Sequence, residues 1–346
     1  NDTAGFTIVQ SGGSTSVSES GTTDTFTVVL NAGPTSDVVL SITSGDTGEA
    51  TVTSSLTFTP ANWNSAQTVT VTGADDNLID GTITSTITVS VNDANSNDSF
   101  DGVADQTVSV TTTDNDTAGF TIAQSGGSTS VSESGTTDTF TIVLNAQPSS
   151  NVVFSIASSD TGEATVISTL EFTASNWNSA QTVTLTGVDD NIIDGTQNST
   201  TTVSIIDAIT DDAFDGVADQ TVSVTTTDND VAGFTIAQSS GSTSVAETGT
   251  TDTFTVVLNA QPASNVVISV ASGDTGEATV SPATLTFTSG NWNSAQTVTV
   301  TGANDTIIDG TITSTITLSV VDGSSDNNFD PVNDQTVSVT TTDNDV

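Results

Sequence analysis

The sequence predicts an all-β chain: three tandem Ig-like antiparallel β-sandwich domains in an extended array. Three observations carry this. Apolar and polar residues alternate with a period of two through most of the chain. Turn-rich clusters interrupt that alternation at short spacing. The whole pattern then repeats about every 114 residues, with Phe6, Phe120 and Phe234 at equal intervals.

The period of two is plain in DTFTVVLN (24–31), QTVTVTG (67–73), TSTITVSV (84–91) and QTVSVTTT (106–113). Strict alternation marks strands with one buried face. Thr and Val suit a pleated, half-buried surface. NAGPTSD (31–37), TSGDTGE (43–49) and DANSNDSFDG (93–102) are turn clusters. Seven or eight short strands in one repeat length make an antiparallel sandwich. Phe6, Phe26, Phe58, Phe100 and Trp63 are its expected core and end-closing residues, with Trp63 a packing anchor. Trp63 and Trp177 are 114 apart, and Trp177 and Trp292 are 115 apart, because SPATLTF carries one residue more than ISTLEF. The expected domains are 1–116, 117–230 and 231–346. Each is long enough for its own core.

Composition narrows the function. The 346 residues include 35 Asp and 7 Glu but no Lys, Arg or His, a formal charge of −42. Nothing can neutralise phosphate, which excludes nucleic acid and anionic membrane surfaces as partners. No run of 18 apolar residues is present, so no membrane insertion by this segment is expected. Without Cys or Lys, neither disulfides nor Lys–Asn isopeptide bonds can staple the fold. The chain starts and stops within one motif, TTTDNDTAGF, so it reads as a segment of something longer.

Strand direction places the acids. Let 5–10, continuing through 15–18, run upward. Then 24–31 runs down, 38–44 up, 50–60 down, 66–73 up, 84–93 down and 105–113 up. The upper end collects Glu19, Asp46, Asp75, Asp76, Asp80, Asp114 and Asp116 from four distant segments. Repeat 2 offers Glu133, Asp160, Asp189, Asp190, Asp194, Asp228 and Asp230. Repeat 3 offers Glu247, Asp274, Asp305, Asp309, Asp343 and Asp345. Two carboxylates about 6 Å apart repel by roughly 3 kcal/mol at an effective dielectric near 20. Relief requires a proton or a cation. Protonation at neutral pH needs deep burial, which loops this polar are not expected to offer. Calcium accepts six to eight oxygen ligands and suits the set. Zinc does not, in a chain without Cys or His. Acids serving solubility alone would scatter over strand faces, where this sequence has Thr and Ser. Isolated acids such as Asp24 and Asp37 are read as turn residues.

SVSESGTTDTFTVVLN (16–31), LTFTPANWNSAQTVTVTGADDNLIDGT (56–82) and the closing TTTDND (111–116) resemble the Calx-β domain, especially its bacterial tandem forms. The resemblance covers all three repeats. It implies sandwiches that bind calcium at one end through positions matching Glu19, Asp46, Asp75 with Asp76 and Asp80, and Asp114 with Asp116. Three departures stand out. Asp80 occupies a place where family members often have Glu, Asn115 separates the closing acids, and Asn304 replaces the Asp of the other repeats.

The expected function is structural: a stretch of a long extracellular bacterial surface protein, an adhesin stalk or a filament. Calcium would stiffen each junction between adjacent repeats of the chain. An alternative is a binding module whose Thr-rich faces, as in TTTVSI (200–205), meet glycan, ice or identical chains in a filament. Catalysis is not expected, since Ser/His/Asp and Cys/His arrangements are impossible without His or Cys. Only a paired-carboxylate glycosidase would be conceivable. Acids repeated at three domain ends fit junction metal better.

Overall fold

The structure is a computed structural model and describes residues 3–346, so the first two residues of the expected range 1–116 lie outside it. In repeat 1 the strands are β1 (Phe6–Gln10), β2 (Thr15–Ser18), β3 (Thr23–Leu30), β4 (Val38–Ser44), β5 (Ala50–Val52), β6 (Ser55–Phe58), β7 (Gln67–Gly73), β8 (Ile83–Val91) and β9 (Gln106–Thr113). They form two sheets, ordered β1-β3-β7-β5 and β2-β9-β8-β4-β6. Repeats 2 and 3 reproduce both sheets.

There are thus nine strands per repeat among the described residues, rather than seven or eight. Two expected strands each break and cross between sheets. Gly12 and Gly13, at φ +62° and +84°, turn the chain from β1 to β2. Position 240 of repeat 3 makes the same turn with Ser at φ +54°. Beyond the turn, β2 runs parallel to β9, pairing Thr15 with Val110. The expected strand 50–60 divides likewise. Ala50 pairs with Gly73 in one sheet, while Phe58 pairs with Val38 in the other.

Alternation then sorts the side chains. Phe26, Val28, Leu40, Ile42, Val69, Val71, Ile87, Val89, Val108 and Val110 face inward and are buried, and Phe6, Phe58 and Phe100 are buried in the same core. Trp63 is half-buried against this core, its ring 3.3 Å from where a Cβ on Gly33 would sit. On the outer face of the first sheet Thr pairs with Thr across strands, as Thr25 with Thr70 and Thr27 with Thr68. Directly opposed Thr pairs stabilise a sheet without any ligand.

Adjacent repeats are joined by more than their linker. The loop after β7 reaches into repeat 2. Gln147 N–H donates to Asn77 O at 2.6 Å, and Ile79 N–H donates to Gln147 O at 3.2 Å. The Ile79 side chain packs against the core of repeat 2. The second junction has the same design. Gln261 N–H donates to Asn191 O at 2.6 Å, and Ile193 packs against the core of repeat 3.

Candidate metal centre

Strand pairing draws four segments together at the upper end of each sandwich. Glu19 follows β2, and its N–H donates to Thr113 O at the end of β9. The turn after β2 lies directly on β7, because a Cβ on Gly73 would stand 2.0 Å from Ser18 O. Glu49 enters from the β4–β5 loop, fixed where its carbonyl accepts from Ala74 N–H at 2.9 Å. Asp114 ties two further segments together. Its Oδ1 accepts from Asp116 N–H at 2.6 Å and its Oδ2 from Gly81 N–H at 2.9 Å. Gly81 has φ +75°, a conformation that favours glycine.

Two triads result, sharing one residue. Glu19, Asp76 and Asp116 bring carboxylate oxygens within 4.8 Å of one another, and so do Glu19, Glu49 and Asp80. Glu133 plays the shared part in repeat 2, with Asp228 and Asp230 in one triad and Glu163 and Asp194 in the other. In repeat 3, Glu247 meets Asp343 and Asp345.

The shared glutamates are deeply buried. Glu19, Glu133 and Glu247 are each 1% exposed. Burial, followed by repulsion from neighbouring acids, pushes the Glu19 carboxyl up to about 7, although a hydrogen bond from Asn115 N–H at 3.3 Å opposes the rise. Glu133 is likewise pushed up to about 7. Burial and then acidic neighbours also raise Glu49, Asp80 and Asp116. Glu19 Oε1, Glu49 Oε2, Asp80 Oδ1 and Asp116 Oδ2 are buried with no hydrogen-bond partner. A buried carboxylate oxygen without a donor is costly. Here no Lys, Arg or His exists to supply one. These oxygens offer an all-oxygen donor set to a hard cation.

The other anticipated residues have different surroundings. Asp46 is exposed at the rim, its Oδ1 accepting from Gly48 N–H at 3.0 Å, yet its charge helps raise Glu49 and Asp80. Asp160 and Asp274 bind Gly162 and Gly276 in the same way. Asp75 is exposed and accepts from Asn115 Nδ2 at 2.9 Å, as Asp189 does from Asn229. Asp190 Oδ1 accepts from Ile192 N–H and Asp305 Oδ1 from Ile307 N–H. Asp309 is exposed. Backbone hydrogen bonds from Asp345 and Gly310 hold Asp343 below its ordinary range. At position 304 the side chain is Asn, and Asn344 Nδ2 donates to its Oδ1 at 2.8 Å. Asp24, by contrast, is a turn anchor, accepting from Ser11 Oγ, Ser16 N–H and Thr25 N–H.

Two expectations need correction. Polar loops do provide deep burial, because the loops stack on one another rather than pointing into water. Strand counting also omits Glu49, Glu163 and Glu277, which are 6%, 8% and 6% exposed. The signal was present: DTGEATV recurs in every repeat, and its Glu directly precedes a buried Ala.

No family model matches the chain, and no curated protein matches it. Among solved structures, it is similar to domains 4–9 of the surface layer protein SbsC, at 16% identity and a TM-score of 0.27 over 99% of this chain. The chain spans 48% of that fragment's length. It is also similar to CBD12 from CALX1.2, at 13% identity and TM-score 0.27, over 63% of this chain and 99% of the other. A third likeness is the I67–I69 fragment of the titin I-band, at 10% identity and TM-score 0.29, over 99% and 97%. Each likeness is one of fold.

Proposed function

We propose that the acidic end of each sandwich binds calcium, and that the ion stiffens the junction to the next repeat. The chain would serve as a structural segment of a long extracellular bacterial surface protein, an adhesin stalk or filament. The observation that carries this reading is the set of four buried, unpartnered carboxylate oxygens around Glu19 in a chain devoid of cationic side chains.

The loop 74–82 links the ion to mechanics. Asp76 and Asp80 belong to the two triads. Between them, Asn77 O, Leu78 and Ile79 make the contacts to repeat 2. An ion held by Asp76 and Asp80 fixes both ends of the segment that grips the next domain. Without the ion, repulsion among the acids loosens that segment. Millimolar extracellular calcium would fill sites of modest affinity.

Calcium titration by calorimetry, paired with thermal melting with and without chelator, tests the reading. Heat of binding and a higher unfolding temperature in calcium are expected. No heat and unchanged melting would sink it.

A further inference from the structure

Repeats 1 and 2 carry the same candidate acids at corresponding positions. The loops that bring Asp80 and Asp194 to their triads, ADDNLIDGT (74–82) and VDDNIIDGT (188–196), differ only at two apolar places. Yet the two loops are held differently. In repeat 2, side-chain amides bind the carbonyls on both sides of the Asp194 side chain. Asn328 of repeat 3 reaches across the junction, its Nδ2 donating to Ile193 O at 2.8 Å. Gln197 Nε2 donates to Asp194 O at 3.0 Å. For the loop of repeat 1, the places of Asn328 and Gln197 are taken by Ala213 and Ile83, whose side chains carry no hydrogen-bond donor. The exchange of Ala for Asn lies within matching segments, DDAFDGVADQ (211–220) and DNNFDPVNDQ (326–335).

We propose that Asn328 is a positioning residue for the metal centre of the preceding repeat. It pins the peptide that joins Ile193 to Asp194. The two duties of the loop meet at that peptide, since Ile193 packs against the core of repeat 3 and Asp194 belongs to the triad with Glu133 and Glu163. A ligand held in place before the ion arrives loses less conformational freedom on binding. The site of repeat 2 therefore takes calcium more tightly than that of repeat 1, and the second junction stays seated at calcium levels that release the first. The coupling is reciprocal: a bond that orders the site for the ion is itself strengthened by the ion. One hydrogen bond of this kind is worth about two- to tenfold in an equilibrium. The affinity difference rests on the calcium reading, whereas the latch across the junction does not.

The amide signals of Gly81 and Gly195 report the two sites separately, because their N–H groups donate to Asp114 and Asp228. In a calcium titration of the whole chain followed by NMR, Gly195 should shift at about two- to tenfold lower calcium than Gly81. Asn328→Ala should move the Gly195 midpoint to higher calcium and leave Gly81 in place. Ala213→Asn supplies the missing donor to the loop of repeat 1. The two backbone positions are held alike, with Ala213 N–H donating to Asp211 Oδ1 and Asn328 N–H to Asp326 Oδ1, at 3.1 and 3.0 Å. This second variant should bring Gly81 to lower calcium. A Gly195 midpoint that Asn328→Ala leaves unchanged overturns the inference. If neither glycine responds to calcium, the calcium reading fails and the affinity difference with it. Hydrogen exchange in chelator then decides the latch at Gln261, whose N–H donates to Asn191 O in the same loop. Several-fold faster exchange in Asn328→Ala supports the latch, and equal exchange overturns it.

Discussion

Glu19 and Glu49 present carboxylate oxygens that, with one from Asp80, all lie within 4.8 Å of one another. Like charges this close and this buried resist joint ionisation. The pH response of the ion-free protein follows. Below about pH 4.5, Glu19 is protonated in folded and unfolded chains alike. Between 4.5 and about 7 the folded chain keeps the proton that the unfolded chain has lost. Stability therefore falls as pH rises through that window. In chelator, melting temperature is expected to drop from pH 5 to pH 8. On the calcium reading the ion takes the place of the proton, and the drop should shrink or reverse when calcium is present. A chelator-treated protein that gains stability over this range would contradict the assignment.

Neutralising the shared glutamate has opposite effects in the two conditions. Replacing Glu19, Glu133 and Glu247 together by Gln removes a buried charge from every repeat. Without calcium, melting should rise, by about 4–8 °C for each ~1 kcal/mol gained. With calcium, the rise caused by the ion should vanish. Calorimetric scans in calcium and in chelator check both signs.

Repeat 3 offers a test by gain of charge. Asn304→Asp preserves an acceptor for Asn344 Nδ2 and adds the carboxylate that Asp75 and Asp189 provide elsewhere. Asp75 is among the acids that raise Asp116, so its charge reaches the cluster. Calcium affinity of repeat 3 should increase in a titration. Unchanged affinity would assign position 75 and its counterparts a turn role alone.

The close approach of β7 to the turn after β2 should tolerate no side chain. Gly187→Ala would place a Cβ 2.0 Å from Ser132 O, a backbone atom. Overpacking of well-packed sites costs roughly 1–3 kcal/mol, and this substitution should reach or exceed the upper end. Gly216→Ala, in the same repeat, meets nothing within 4 Å and should change stability by no more than about 0.5 kcal/mol. Denaturant unfolding of both variants makes the comparison.

Ile79 packs across the first junction, against the core of repeat 2. Truncation to Ala removes half-buried apolar surface seated against repeat 2 and should weaken the contact by about 1–2 kcal/mol, below the range for fully buried sites. The Gln147 amide, which donates to Asn77 O, should then exchange with solvent faster. Amides inside the sheets should not change. Equal exchange at Gln147 in both proteins would remove Ile79 from the joint.

Much of this molecule is legible in the chain because sheet structure has a local code. A period of two states which residues face inward, and Phe26, Leu40, Val69 and Val108 do so. Turn clusters state where strands end, and strand direction then gathers Glu19, Asp76, Asp80 and Asp116 at one end. The code weakens where neighbours in space, rather than in sequence, set the outcome. The sheet switch at Gly12–Gly13 looks like a simple turn inside one strand. Glu49 looks like one more loop acid, since the groups that hold its carbonyl at the buried end, Ala74 N–H and Thr112 Oγ1, lie far along the chain.

The sequence by itself determined the repeat, the sandwich class, the alternation and the absence of any internal counter-charge. These follow from composition and short-range periodicity. The tertiary structure alone decided which acids are buried, which oxygens lack a donor, and that a loop rich in acids also carries the hydrophobic pair gripping the next repeat. Desolvation and contact across a junction depend on distances between segments about 30 to 100 residues apart, as in the bonds of Asp114 to Gly81 and Asn115 to Glu19 within repeat 1 and of Gln147 to Asn77 across the junction. No local pattern encodes such distances.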